Sequence, residues 1–551
     1  MIPEPAYVFK HAVIQDVAYS SLLLQRRKEV HRAVGAAIEE LYRDRLAEHY
    51  AELAYHFNRG EDWSKALQYS TMAGDQFTHS FANAEAAEHY THAINAATKL
   101  PLVSAGSVGD LHAKCGAVLS IIGRHSQALD EYARALDCAC SANDRARENE
   151  LLVGLSWAQF NAHQFAAMRD TCERSRTLAE ELGDARISAS SKMASAFRVG
   201  MCEGPTPEIV ERLEEAVHLA ESANEPRLVA ETTVSLGSML QWQGQFDRGG
   251  QQLRRGLELS RQTHSGYFVG QSLFFLGHVS LSLGEYERSL NCYQQLKEYA
   301  EAAGDAFWLA RIPNCTGTVS LELYDLERAL ELQLEGDEAG RRYSAWPEPR
   351  GHSLLKAGLV HFERSDYVRA EEFYLQAWGL LGGDEFARWR WHIPLLHARG
   401  ALALARGRHE EGWRFAAESL ELARQTYARK HEARAQLLQG EILAATGRPN
   451  EALPLIQASV GLAQELQTRR DIWMGTLALG NLLMRLGKDK EAEVAFNTSA
   501  ATIESIAAGL KTDFLSRAFV AAPPVLEVFK LLGRRAPVIE PASSSLSVKA
   551  Q

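Results

Sequence analysis

Apolar side chains recur three and four residues apart along most of the chain, and small residues punctuate the stretches that carry them at a fixed interval. Gly237, Gly277, Gly317, Gly358, Gly400, Gly440 and Gly480 follow one another at steps of 40, 40, 41, 42, 40 and 40 residues. The same step counted backwards lands on Ala196, Ser156 and Gly116. Twelve residues after most of these stands a second small residue: Ala128, Gly249, Ser289, Ala329, Ala370, Gly412, Ala452 and Ala492. A large residue often comes four later, as in Tyr132, Tyr293, Tyr374 and Phe496. A fixed period of this length predicts a stacked array of two-helix units, each touching mainly its neighbours.

One unit, residues 228 to 263, shows the grammar. Val229, Val234, Leu236 and Leu240 keep helical spacing, and Leu253, Leu257 and Leu259 continue an apolar face on a second helix. Gly244 stands between them, as Gly123, Gly284, Gly407, Gly447 and Gly487 do in other units. A glycine there can take the left-handed conformation that ends a helix. His125, Phe246, Tyr286 and His409 follow and cover the turn. Small residues near mid-helix let two backbones approach, and the large residue fills the space beside the contact.

The strings GHVSLSLGEYERSLNCY and GAVLSIIGRHSQALDEYARAL resemble the tetratricopeptide repeat (TPR). The usual TPR period is about 34 residues, so these units are longer, with helices of about 16 residues. The expected fold is all-α, a right-handed α-solenoid of ten to twelve such hairpins. Such long units resemble the arrays of large bacterial signalling ATPases.

The segment YVFKHAVIQDVAYSSLLLQRRKEVHRAVGAAIEE adds a second resemblance. It looks like the junction after the nucleotide-binding module of STAND-type ATPases, in many bacteria fused to class III adenylate/guanylate cyclase domains. Phe9, His11, Ile14, Asp16, Val17, Ala18, Tyr19, Leu22, Leu23 and His31 carry that likeness. A complete member would hold a GxxxxGK[ST] loop. Gly509-Leu510-Lys511-Thr512 lacks the upstream glycine and sits at a helix end, so it cannot cradle phosphates. The chain therefore reads as the C-terminal part of such a protein, standing alone or truncated.

The expected organisation is a helical junction at 1–47, irregular first hairpins at 48–109, the repeat array at 110–505, a capping helix at 506–535 and a disordered tail at 536–551. Helices are expected over 9–24 and 26–42, and Ala66 and Ala86 suggest two hairpins sharing a helix. SAGSVG at 104–109 reads as the clearest break, CEGPTPE at 202–208 as a bend, and 336–353 as a longer linker.

Charge narrows the partners. With 59 Lys+Arg against 70 Asp+Glu the formal charge is -11, both signs are interspersed, and no basic stripe invites nucleic acid. No apolar run reaches a membrane span, and seven scattered cysteines suit a reducing, cytoplasmic setting.

Candidate chemistry is sparse. His89 and His92 stand at i, i+3 without a third ligand, and Cys138 and Cys140 face apart on one helix. Glu214-Glu215 and Glu371-Glu372 read as solvated faces. No catalytic, cofactor-binding or metal-binding set emerges, so no enzyme activity and no cofactor is expected.

Two groups are candidate partner contacts. In TPR folds the first helix of each unit lines the concave groove, and one or five residues past the small residue lie Trp157, Asn161, Trp242, His278, Glu322, Glu363, Glu441, Asn481 and Arg485. The second is an aromatic and arginine group, Trp346, Trp378, Arg388, Trp389, Arg390 and Trp391, of types favoured at binding hot spots but also explicable as packing under the 336–353 linker. The expected role is a non-catalytic scaffold for a protein or peptide partner, with an attached or separate ATPase or cyclase module as a further partner. Part of a cyclase or STAND regulator whose catalytic domains lie elsewhere is the alternative, and a transcriptional regulator a weaker one.

Overall fold

In the computed structural model the described residues are 17, 19–343, 346–382 and 388–537. They form 27 α-helices and one short 3-10 helix, with no strand among them. Two compact units divide the chain after Ala158.

The first unit begins its described helices with Leu24–Leu41, close to the helix expected over 26–42. Most of the helix expected over 9–24 lies outside the described residues. Tyr50–Gly60, Trp63–His79 and Asn83–Ala97 then pack in sequence, with Ala66 and Ala86 fully buried at the two contacts. The break expected at 104–109 is shorter and earlier. A helix starts at Ala105 because the Ser104 hydroxyl accepts from the Ser107 amide at 3.1 Å, and Gly109 sits against Cys138. The exposed turn is Leu100 to Val103, with Leu102 96% exposed.

The second unit explains the 40-residue period by arithmetic. Pro226–Trp242 and Phe246–Gln262 have 17 residues each, and turns of three residues separate them from each other and from Gly266. Seventeen residues of helix run about 25 Å. The first helices of the hairpins are here labelled α1 (Ala185–Glu203), α2 (Pro226–Trp242), α3 (Gly266–Ser282), α4 (Ile312–Glu322), α5 (Glu348–Glu363), α6 (Arg388–Ala405), α7 (Arg429–Ala445) and α8 (Arg469–Arg485).

The two helices of a hairpin are not equivalent. In α2 the buried set runs almost unbroken from Leu228 to Gln241, whereas the following helix buries only Phe246, Gly249, Gly250, Leu253, Gly256 and Ser260. The first helices are thus inner and the second are amphipathic covers. Gly123, Gly244, Gly284, Gly407, Gly447 and Gly487 all have φ between 71° and 87°, the expected left-handed helix ends. The close approach is also as expected. A Cβ at Gly237 would lie 3.0 Å from the Gly249 carbonyl oxygen, and one at Gly249 3.1 Å from that of Gly237. Tyr293 fills the space at Gly277, Tyr374 at Gly358 and Phe496 at Gly480.

The array closes on itself within this unit. Trp389 donates from Nε1 to the Met201 carbonyl at 3.1 Å, Lys430 from Nζ to Ser282 Oγ at 3.1 Å, and Arg470 from Nη1 to the Glu322 carbonyl at 2.9 Å. The C-terminal ends of α1, α3 and α4 therefore meet the N-terminal ends of α6, α7 and α8, four or five hairpins later. The Lys511 and Thr512 amides extend the pattern, donating to Glu287 Oε1 at 3.0 and 2.8 Å.

Two expectations change. The linker expected over 336–353 is mostly helix: Leu326–Tyr343 runs into it from one side and α5 starts at Glu348. Pro347 and Pro349 sit at the start of α5, where a missing amide costs nothing. In place of one terminal helix over 506–535, Asp489–Gly509 is followed by two short helices, Asp513–Val520 and Pro523–Leu531, the second started by Pro523 and Pro524. Phe519, Val525, Val528 and Phe529 are buried in this end piece. Residues 538–551, most of the expected tail, lie outside the described residues.

Candidate ligand-binding face inside the superhelix

The inner helices present one face to the axis they wind around, and the 40-residue comb places equivalent side chains there. The expected groove residues occupy varied surroundings. Trp157, in the first unit, and Asn161, in the second, are half-buried. In the second unit Trp242 stands edge-on to Trp389 with ring centroids 5.2 Å apart, and His278 is 6.3 Å from Trp242. Glu322 is buried, accepting from the Tyr286 hydroxyl at 3.3 Å, with Arg434 4.0 Å away. Glu363, Glu441 and Asn481 are half-buried, and Arg485 is exposed. Burial pushes the Glu441 carboxyl up to about 7 and raises that of Glu363, which Arg470 partly opposes.

The aromatic group is drawn inside. Trp346, Trp389 and Trp391 are 3%, 1% and 0% exposed. Trp346 and Trp391 meet edge-on at 5.6 Å, and Arg390 lies over the rings of Trp242 and Trp391 at 5.2 and 5.8 Å. Trp378 stands apart, half-buried and stacked on His392 at 5.0 Å. Arg388 opens α6, but its side chain is not among those described.

Of the most charged inner positions only Arg390 was a candidate from the sequence, although the same comb contains them all. Ten residues before each small residue stand Glu348, Arg390, Lys430 and Arg470, and six before stand Gln271, Arg311, His352 and Arg434. They are held in contacts across the array. Arg311 donates from Nη2 to Glu348 Oε2 at 2.6 Å, and Arg390 lies 3.6 Å from Glu348 Oε1. Arg434 donates from Nε to Asp471 Oδ1 at 2.6 Å. Lys356, one helical turn after His352 on α5, is half-buried and has no carboxylate of the described residues within ion-pair distance.

The electrostatics follow from depth and crowding of like charge. Burial, with Arg390 and Lys430 nearby, pushes His278 down to about 3. Burial likewise holds His352 and His397 at about 4 and Lys356 at about 8. Burial alone would raise the Glu348 carboxyl, but Arg311 and Arg390 hold it below the ordinary range. Glu348 is closed off, but His278, His352, His397 and Lys356 are deep yet keep partial access to solvent, which suits binding from solution. No group of three or more metal-ligating side chains occurs among the described residues, nor does a helix long and apolar enough to cross a membrane.

A separate cavity of about 660 Å³ opens between Phe165–Leu182, α1 and Pro207–Ser222. Its floor is the serine stripe Ser188, Ser191 and Ser195 beside buried Arg198. Its rim mixes Lys192, Arg176 and Arg212 with Glu173, Glu180 and Glu203, so neither sign dominates.

The comparisons with known proteins agree with this architecture. Residues 270–302, which span α3 and most of its partner helix, match the tetratricopeptide repeat family. No curated protein matches the chain by sequence. Among solved structures, a Rap protein complexed with Competence and Sporulation Factor superposes with a TM-score of 0.51 at 12% identity, over 66% of this chain and 100% of that one. A STAND protein with a tetratricopeptide repeat sensor from Pyrococcus horikoshii gives a TM-score of 0.36 at 14% identity, over 71% of this chain and 55% of that one. The APC/C hetero-tetramer Cut9-Hcn1 gives 0.43 at 13% identity, over 93% and 98%. The fold is therefore a TPR-type α-solenoid.

Proposed function

We propose that the chain is a non-catalytic scaffold that binds a protein or peptide partner along the inner face of its second unit, and that it serves as the sensor region of a signalling ATPase or adenylate cyclase. The observation that carries the binding role is the recurrence, at the comb positions of His352, Lys430, Arg434 and Arg470, of polar and charged side chains that are deep but still wetted. A helical array stabilised only by packing has no need of such groups, because buried charge costs free energy unless something compensates it. The Rap protein of similar fold was crystallised with Competence and Sporulation Factor, which supports a ligand-holding role for this architecture. The sensor role rests on the N-terminal segment from Phe9 to His31, whose likeness to the junction of STAND-type ATPases suggests the route by which a bound partner would reach an attached module.

Photo-crosslinking tests the binding role. A benzophenone amino acid placed at Glu363 on the inner face is expected to capture a defined partner in cells. The same group at Val494, 67% exposed on a covering helix, is expected to capture none. Capture at Val494 with silence at Glu363 would move the binding face to the outside and overturn the proposal.

A further inference from the structure

We infer that the inner face of the second unit is selective for an acidic peptide segment, whose carboxylates meet the cations of α5, α7 and α8 and whose backbone amide meets Gln271. This rests on the binding role proposed above and names the chemistry of the partner.

The first argument is the sign of the charge. The linked inner groups include the cations Arg311, Lys356, Arg390, Lys430, Arg434 and Arg470, against the carboxylates Glu322, Glu348 and Asp471. Glu441, pushed up to about 7 by burial, carries less than full negative charge at neutral pH, while Glu363 adds one more carboxylate, which Arg470 favours in its charged form. This excess sits inside a chain whose formal charge is -11, so composition did not put it there by default. Three of the cations make no direct salt bridge among the described residues, although the Glu322 carboxylate lies near enough to favour the charge of each. Lys430 spends its ammonium on Ser282 Oγ, Arg470 binds a backbone carbonyl and stacks over Tyr324 at 5.3 Å, and Lys356 has no ion pair among the described residues. Unpaired cations in a sheltered, partly wet site attract an anion more strongly than surface lysines do, because screening is weaker there.

The second argument separates a peptide from a simple anion. Gln271 is 1% exposed and occupies the comb position of Arg311, His352 and Arg434. Its Nε2 donates to Ser238 Oγ at 3.1 Å, while its Oε1 has no partner. Seven residues on, and so on the same helical face, His278 leaves Nε2 unpartnered. An orphaned amide oxygen wants a donor. A phosphate or sulfate offers oxygens only, whereas a peptide brings N–H groups together with its carboxylates.

The probes are a fluorescein-labelled hexaglutamate peptide and its hexaglutamine counterpart, titrated by anisotropy into the full chain. Hexaglutamate is expected to bind about tenfold more tightly than hexaglutamine, with affinity falling as salt rises. Lys356→Met, at a residue with no ion pair to break, is expected to weaken hexaglutamate by about fivefold or more with the melting temperature unchanged, and Lys356→Arg to restore it. Equal binding of the two peptides would overturn the acidic selectivity while leaving the inner face a peptide site. Hexaglutamate binding that is absent, or indifferent to Lys356→Met, would overturn the inference outright. The crosslinking at Glu363 reports separately whether the inner face binds anything. Tripolyphosphate displacing hexaglutamate more effectively than unlabelled hexaglutamate does would assign the site to small anions and overturn the peptide.

Discussion

At Gly277 a side chain has nowhere to go. A Cβ there would run into the Tyr293 ring, while Ser289 donates from Oγ to the Gly277 carbonyl at 2.9 Å. Gly277→Leu must displace that ring and part the two helices, so it is expected to cost about 1–3 kcal/mol in urea denaturation. Combining it with Tyr293→Ala should recover part of the loss, since the two sites share one space. An additive pair would mean the clash lies elsewhere. This residue-level grammar was legible in the sequence because it is local and repeated: a small residue, another twelve on, a ring four later. The second turn of each hairpin was not. There His264, Tyr427 and Gln467 hold φ of 54°, 56° and 57° without being glycine. Nothing in those residue types announces a left-handed position, which the next helix imposes by its start.

At the scale of elements, the hidden feature is a charged joint. Glu348, at the start of α5, ties Arg311 near the start of α4 to Arg390 near the start of α6, with side chains only 4%, 5% and 7% exposed. Removing the carboxylate would strand two guanidinium groups out of water, so Glu348→Ala is expected to destabilise the second unit by about 3–5 kcal/mol. Glu348→Gln, which keeps a hydrogen-bond acceptor, should cost less. A melt unchanged in Glu348→Ala would show the joint to be solvated. The sequence grouped Arg390 with Trp389 and Trp391, which flank it, and left a binding patch and packing under the 336–353 linker both open. Burial of those rings depends on α6 meeting α1 through the Trp389 bond to Met201, 188 residues away. A comb of period 40 reveals neighbours along the array, not which hairpins touch after a full turn. The linker expected above the tryptophans misled in the same way, as Tyr-Ser-Ala-Trp-Pro reads as loop while helix fills most of 336–353.

For the molecule as a whole, the crowded interior sets the response to acid. His278, His352, His397 and His431 are held below their ordinary value by burial first, with neighbouring cations adding to it and, at His352, Glu348 opposing it. The unfolded chain would protonate them near pH 6.5, whereas the folded state keeps three of them neutral down to about 3, 4 and 4. The unfolded state therefore binds more protons below pH 6.5, and the stability these groups provide at neutral pH is lost as pH falls through that window. Asp305 and Glu441, both raised to about 7 by burial, act in the opposite sense, since the folded state takes up their protons first. Four histidines against two carboxyls leave a net loss, so the melting temperature should drop steadily from pH 7 to about pH 4.5. His278→Asn together with His397→Asn should flatten that slope. A melting temperature that rises over the same range would mean that the two carboxyls outweigh the histidines. The same cations that depress these histidines give the inner face its attraction for carboxylates, so an acidic peptide should raise the melting temperature at pH 7 and lose that effect as its own side chains protonate in acid.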